Sequence, residues 1–176
     1  MSDRNNVLPF AEHNGPMRIV DEHPGHEASI RLVITNAFGR EVEARLVDDL
    51  RLATDLAISL VADEAGEICG HVALSRLKAP SRALALAPVS VLKAKQRQGI
   101  GSALIRRAIK NTRENRYDII FVLGEPDYYK RFGFETKEAA LFRAPFRGPY
   151  FMALNLVGRS LAPADVIYPH AFDALD

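Results

Sequence analysis

Two glycines in Gln96-Arg97-Gln98-Gly99-Ile100-Gly101 stand where a strand-like run ending at Val91 gives way to an amphipathic helix pattern. Glycines at a helix entry let the backbone approach an anion closely, the unpaired amides of the first turn point at it, and the helix dipole adds favourable potential. The chemistry this would serve is the cradling of a pyrophosphate. Gly-x-Gly before a helix also occurs as plain turn chemistry, so the surroundings have to decide. A P-loop would need a Gly-Lys-Ser/Thr ending, and Gly101 is followed directly by Ser102. A dinucleotide fingerprint would need a third small residue where Leu104 stands, and a place near the first strand rather than late in the chain. Neither alternative fits.

Pro88 is the second chemical clue. It cannot donate to a ladder, yet it sits inside the apolar run Leu84 to Val91, so a bulge or a splay is expected there. A strand that parts from its neighbour beyond Pro88 leaves backbone groups of Val89, Ser90 and Val91 unpaired. Those groups could bond an extended, amide-bearing ligand such as pantetheine.

The elements that must hold these residues can be read from periodicity. Met17 to Val20 reads as a short strand, and residues 1–16, which mix Asn, Pro, Gly, Asp and His without pattern, read as a loose arm ahead of one domain over 17–176. Ile30, Val33, Ile34 and Ala37 follow helical spacing up to Gly39, and Val42, Leu46, Val47 and Leu50 form a second helical face. Ile58 to Ala62 and Ile68 to Ser75 are strand-like runs joined across Asp63-Glu64-Ala65-Gly66-Glu67, which predicts an antiparallel hairpin, with Ala83 to Val91 continuing the meander. Gln96 to Asn115 carries Ile100, Leu104, Ile105 and Ala108 along one helical side. Ile119 to Leu123 is five consecutive apolar residues, the pattern of a strand buried on both faces and reached by a crossover helix. A short helix around Pro126 to Phe132 and a strand around Tyr150 to Leu156 complete the pattern. The expected class is α/β, a mixed sheet with helices on both faces.

Composition narrows the functions. The chain has 176 residues, 23 Lys and Arg against 22 Asp and Glu, and a formal charge of +1, so no global field draws it to nucleic acid or to an anionic membrane. An anion would have to be held locally. Cys69 is the only cysteine, which rules out an intramolecular disulfide and a cysteine-built zinc site; no metal is expected. No apolar run approaches the roughly 20 residues that cross a bilayer, and the first residues lack a signal-peptide pattern, so a cytoplasmic location is the expectation.

Val89-Ser90-Val91, then Gln96-x-x-Gly99-x-Gly101, then the buried strand, then Tyr129-Lys130-Arg131-Phe132-Gly133-Phe134 resembles the GNAT acetyltransferase signature in order and spacing. The segments Glu43-Ala44-Arg45-Leu46-Val47, Leu123-Gly124-Glu125-Pro126 and Tyr168-Pro169-His170-Ala171-Phe172 further resemble the YhbS-like group of N-acetyltransferases. The resemblance runs from about Met17 to the C-terminus. It implies the acyl-CoA N-acyltransferase fold, a mostly antiparallel sheet with one parallel, splayed strand pair. It also implies acetyl-CoA as co-substrate and transfer of its acetyl group to a small-molecule or peptide amine, in a protein for which a homodimer would be unremarkable. Carried over by position, Gln96, Arg97, Gln98, Gly99, Ile100, Gly101 and Ser102 wrap the pyrophosphate. Backbone groups of Val89 and Val91, with Ser90 between them, hold pantetheine, and Leu123 and Gly124 join the coenzyme site. Gln96 takes a place often filled by arginine in the family.

Tyr129 falls where many family members keep a tyrosine near the coenzyme A sulfur, and it is the catalytic candidate, with Tyr128 its understudy. An amine attacking a thioester expels a thiolate of pKa roughly 8.5, below the roughly 10 of a phenol, so a tyrosine can lend a proton or hydrogen bond to the departing sulfur. The base that deprotonates the acceptor is left among Glu43, Glu125, His71 and a water relay. Lys93, Lys95, Arg97, Arg106, Arg107 and Lys110 could receive a ribose phosphate or simply solvate a helix face. The aromatics of 142–151, interrupted by Arg143, Pro145 and Arg147, could wall an acceptor pocket or belong to core and turn. The competing function is a non-catalytic acyl-CoA-binding or sensing domain on the same fold.

Overall fold

A computed structural model describes residues 16–78, 80 and 82–175; of the arm expected over 1–16, all but Pro16 lies outside the described residues. The chain runs β1 (Met17–Asp21), α1 (Glu27–Phe38), α2 (Val42–Leu52), β2 (Leu56–Glu64), β3 (Glu67–Arg76) and β4 (Ala83–Val91), then a 3-10 turn at Lys93–Lys95 and α3 (Ile100–Glu114). β5 (Ile119–Leu123), α4 (Pro126–Tyr129), a 3-10 turn at Lys130–Phe132, α5 (Thr136–Ala139), β6 (Phe151–Asn155) and a final 3-10 segment at His170–Leu175 follow.

The six strands form one sheet in the order of the chain. Every pairing is antiparallel except β4 with β5, which α3 connects as a crossover. The expected hairpin joins β2 and β3: Ala65 and Gly66 both take left-handed φ (55° and 92°), the geometry of a turn that matches strand twist, and Gly66 donates its N–H to Asp63 Oδ1 at 2.6 Å.

Alternation along the strands splits the core in two. Leu84, Leu86, Ile120, Val122 and Leu154 meet Leu104, Ile105 and Ala108 of α3 on one face. Ala83, Ala85, Ile119, Phe121 and Phe151 meet Leu46 and Leu50 of α2 on the other. A third cluster seats Ile30, Ile34, Ala44 and Val47 of α1 and α2 on Val61 and Ala73. Gly70 of β3 is where α3 comes closest to the sheet, since a Cβ there would lie 3.0 Å from both Ile100 Cγ2 and Leu104 Cδ1.

The largest boundary difference from the sequence reading is at α3. The helix pattern assigned to Gln96–Asn115 becomes helix only at Ile100, because Arg97 and Gly99 take left-handed φ of 62° and 85°. The intervening residues form a loop across the end of β4. Two short elements, α5 and the 3-10 segment at His170–Leu175, have too few turns to leave a periodic signature.

Candidate active site

β4 does what Pro88 implies. It pairs with β5 only through Ala83, Leu84 and Ala85, opposite Ile119, Ile120 and Phe121, and then departs. Between Leu86 and Val89 it runs one residue longer than the facing stretch of β3, a bulge centred on Ala87-Pro88. Beyond it β4 stays in register with β3, Ser90 opposite His71 and Val91 opposite Gly70. Leu92 N–H donates to Cys69 O at 3.0 Å. Alternation then directs the backbone groups of Ser90 toward β3, and those of Val89 and Val91 toward the edge that β5 has left.

That edge borders a cavity of about 650 Å³ lined by Val89, Val91, Lys95, Gln96, Arg97, Gly99, Ile100, Gly101, Ser102, Tyr128, Tyr129 and Arg131. Gly99 is the N-cap of α3, and Ala103 N–H closes the first turn on Gly99 O at 3.0 Å. The amides of Ile100, Gly101 and Ser102 precede that first bond and face out of the helix end with the positive end of its dipole. Gly101 keeps the approach narrow, because a Cβ on it would come within 3.0 Å of the Tyr128 hydroxyl.

Most of the residues singled out from sequence meet in this cleft, but their parts differ. Gln96 turns its side chain inward, Nε2 donating to Val91 O at 3.1 Å, so it ties the loop to the strand. Gln98 Nε2 donates to Ala94 O at 3.3 Å and stands outside the lining. Ser90 is buried, with Oγ donating to His71 O, and does not line the cleft. Leu123 is 50% exposed and pairs with Phe151 of β6; it too lies outside the lining. Gly124 donates its N–H to Tyr150 O at 2.9 Å and lies under the Tyr129 ring rather than in the cavity wall.

Arg131 is a cleft residue that sequence reasoning gave no role. Its guanidinium carbon lies 4.5 Å from the centre of the Tyr128 ring, Nε donates to Tyr128 O at 3.1 Å, and Nη2 donates to Ser102 Oγ at 3.3 Å. A cation is thereby held beside the first turn of α3 without a carboxylate partner among the described residues. Only its charge inside the aromatic run Tyr128–Phe134 marked it in the sequence. Lys95, by contrast, is paired with Glu64, which raises its pKa and uses part of its charge.

Tyr129 is part of the cleft wall. Its ring is caged by Tyr128 (centroids 5.1 Å apart, edge-on) and Phe134 (5.7 Å, edge-on). Burial, with Tyr128 adding, pushes its phenol up to about 12, so it is protonated at any physiological pH. Tyr128 lines the same cavity, its hydroxyl over Gly101.

The three base candidates are far from equivalent. His71 is 0% exposed between β2 and β4, with Nε2 2.9 Å from Ser59 Oγ. Burial and then the Arg51 charge push its imidazole down to about 3, which makes it a weak base. Glu43 is 6% exposed and clasped by Arg40. Glu125 is exposed at the N-cap of α4, where its carbonyl accepts from Tyr128 and Tyr129 N–H. None of the three lines the cleft.

Two other cavities bear on function. One of about 390 Å³ lies over the opposite core cluster, walled by Phe142, Phe146 and Phe151 with Arg143 and Arg147. Another of about 680 Å³ opens at the far end of α3. Its two arginines are already engaged: Arg51 pairs with Glu22 and Asp48, and Arg76 donates to the carbonyls of Thr54 and Leu56. Among the described residues no cluster of three or more His, Cys, Asp or Glu could hold a metal, and no helix is long and apolar enough to cross a membrane.

Comparison with known proteins decides the family. Residues 55–136 match the acetyltransferase (GNAT) domain family. The chain is 34% identical over 116 residues to the uncharacterized N-acetyltransferase YhbS of Escherichia coli strain K12, covering 64% of this chain and 67% of that one. The chain belongs to the GNAT acetyltransferase family. YjhQ, another uncharacterized E. coli N-acetyltransferase, is 35% identical over 131 residues, 70% of this chain and 71% of its own. Among solved structures, a Brucella melitensis GNAT acetyltransferase in complex with acetyl-CoA is 37% identical, covers 90% of this chain and 99% of that chain, and superposes with a TM-score of 0.78. E. coli YhbS in complex with CoA gives 28% identity, a TM-score of 0.83, and 89% and 92% coverage. The YhbS-like GNAT resemblance and the mixed, mostly antiparallel sheet with one parallel pair therefore hold.

Proposed function

We propose that this GNAT protein moves an acetyl group from acetyl-CoA to a primary amine by direct attack, within one domain over 17–176. The observation that carries the reading is the departure of β4 from β5 after Ala85, beside the open first turn of α3. A free strand edge and a set of unpaired amides lie along one cavity, which suits an amide chain followed by a pyrophosphate. Solved GNAT relatives with acetyl-CoA or CoA bound support the choice of ligand.

In this reading Val89 and Val91 backbone groups bond pantetheine, and the amides of Ile100, Gly101 and Ser102 receive the pyrophosphate. Arg97 and Arg131 supply positive charge. The neutral amine attacks the thioester carbonyl carbon, and charge developing on its oxygen is met by a backbone N–H of the splayed edge. The C–S bond then breaks, and Tyr129 O–H donates a hydrogen bond to the leaving thiolate. With the phenol near 12 and a thiol near roughly 8.5, complete transfer would be uphill by about 5 kcal/mol. Tyr129 therefore stabilises the thiolate as a donor, and the ammonium proton leaves through water.

The acceptor enters from the other face, where Phe142, Phe146 and Phe151 wall a cavity beside the end of β5. A small-molecule or peptide amine in the cytoplasm is the reading for partner and place. Thiol release from acetyl-CoA, measured against a panel of amines, tests the function. Amine-dependent release, with the acetylated amine recovered by mass spectrometry, supports it. Tight binding without release by any amine would replace it with a sensing domain.

A further inference from the structure

The geometry points to Gly124 as the positioning residue for Tyr129. This rests on Tyr129 acting at the leaving sulfur. Gly124 follows β5, and its amide is tied by the 2.9 Å bond to Tyr150 O, which opposes a retreat of its Cα. A Cβ built on it would lie 2.4 Å from Tyr129 Cε2, 3.0 Å from Cδ2 and 3.4 Å from Cζ. The nearest of these is about 1 Å closer than ordinary van der Waals contact. The ring's retreat is restricted, because Tyr128 and Phe134 stand edge-on to it and Phe132 lies 6.5 Å off. So is that of its backbone, since Tyr129 N–H is bonded to Glu125 O. Gly124 thus supplies the missing wall of an aromatic cage. The absence of a side chain there sets how far the phenol reaches into the cleft. The sequence resemblance put Gly124 in the coenzyme site; its contact is with the tyrosine instead.

Gly124→Ala is expected to shift the ring by about the 1 Å overlap, and a displacement of that size at a reacting group costs up to roughly a hundredfold in rate. The predicted loss is at least about tenfold in kcat at saturating acetyl-CoA, with the acetyl-CoA Kd changed less than about threefold. Two readouts separate positioning from general damage. The first is a cycle with Tyr129→Phe: once the hydroxyl is gone, Gly124→Ala should lower kcat by no more than about twofold further. The second is 19F NMR of protein carrying 3-fluorotyrosine at its five tyrosines. The Tyr129 resonance, assigned by its loss in Tyr129→Phe, should move in Gly124→Ala while those of Tyr117 and Tyr168 stay. Melting of each variant checks folding, and relief of any Tm loss by adding Tyr129→Leu would locate the strain at that ring.

Equal kcat losses from Gly124→Ala in both backgrounds would overturn the inference, as would an unmoved Tyr129 resonance with wild-type kcat. If Tyr129→Phe itself leaves kcat unchanged, the catalytic reading of Tyr129 fails and the role of Gly124 with it. The first two outcomes leave that reading intact.

Discussion

Lowering the pH from about 7.5 to about 5 is expected to remove about 2 kcal/mol of folding stability through His71 alone. The side chain is fully buried, its Nε2 meets Ser59 Oγ, its Nδ1 has no partner among the described residues, and Ser59 in turn donates to Glu22, which pairs with Arg51. Protonating it would place a charge near the Arg51 cation with no described carboxylate in contact, and burial first and then that charge lower its pKa from 6.5 to about 3. In the unfolded chain the imidazole titrates near 6.5, so between 6.5 and 3 the unfolded state holds one more proton than the folded state. The stability from keeping His71 neutral is thus fully present above 6.5 and is lost as pH falls through that window. The loss is roughly 1.4 kcal/mol per pH unit below 6.5, or about 2 kcal/mol at pH 5. Urea unfolding of the wild type and of His71→Leu at both pH values isolates it. The variant starts less stable, because Ser59 loses a partner, but its stability should change about 2 kcal/mol less between the two pH values. The depressed carboxylates of Glu27 and Asp165 act lower in the pH range and are common to both proteins. Parallel pH dependences for wild type and variant would refute the argument, showing that His71 protonates in the folded state as readily as in the unfolded one.

Three further outcomes follow from the site. Tyr129→Phe should lower kcat by roughly tenfold or more with little change in acetyl-CoA affinity, and the wild-type rate should show no Tyr129 ionisation up to about pH 10, since the phenol lies near 12; pH–rate profiles of both proteins check it. Arg131→Met, which keeps apolar contact with Tyr128 but removes the cation, should raise the acetyl-CoA Kd by about tenfold and weaken its salt dependence, as read by titration at two ionic strengths. Gly70→Val should cost about 1–3 kcal/mol by pressing on Ile100 and Leu104, and should weaken coenzyme binding by lifting the entry of α3, measured by urea unfolding and calorimetry together.

The sheet was largely readable because each strand carries a strong local signal. Pro88 announced the bulge, the apolar run 119–123 announced a strand buried on both faces, and the stripe Ile100–Ala108 announced the helix that covers them. What stayed hidden depended on contacts between distant residues. Periodicity puts Gln96 at a helix entry, but not its amide on Val91 O. A bulge changes which residues face outward, so the separate fates of Ser90 and its neighbours Val89 and Val91 require the pairing with β3. The spacing of Gly124 and Tyr129 says nothing of a ring folding back onto the glycine, and a strand histidine gives no hint that its Nδ1 lacks a partner among the described residues.

Calorimetric titration with acetyl-CoA, run on the wild type and on the Gly99→Glu, Gly101→Glu variant, tests the cleft most directly. The account predicts one-site binding to the wild type, and its loss in the variant, where two carboxylates stand at the helix entry and one would press against the Tyr128 hydroxyl. No binding to the folded wild type, or equal binding to both proteins, would contradict it.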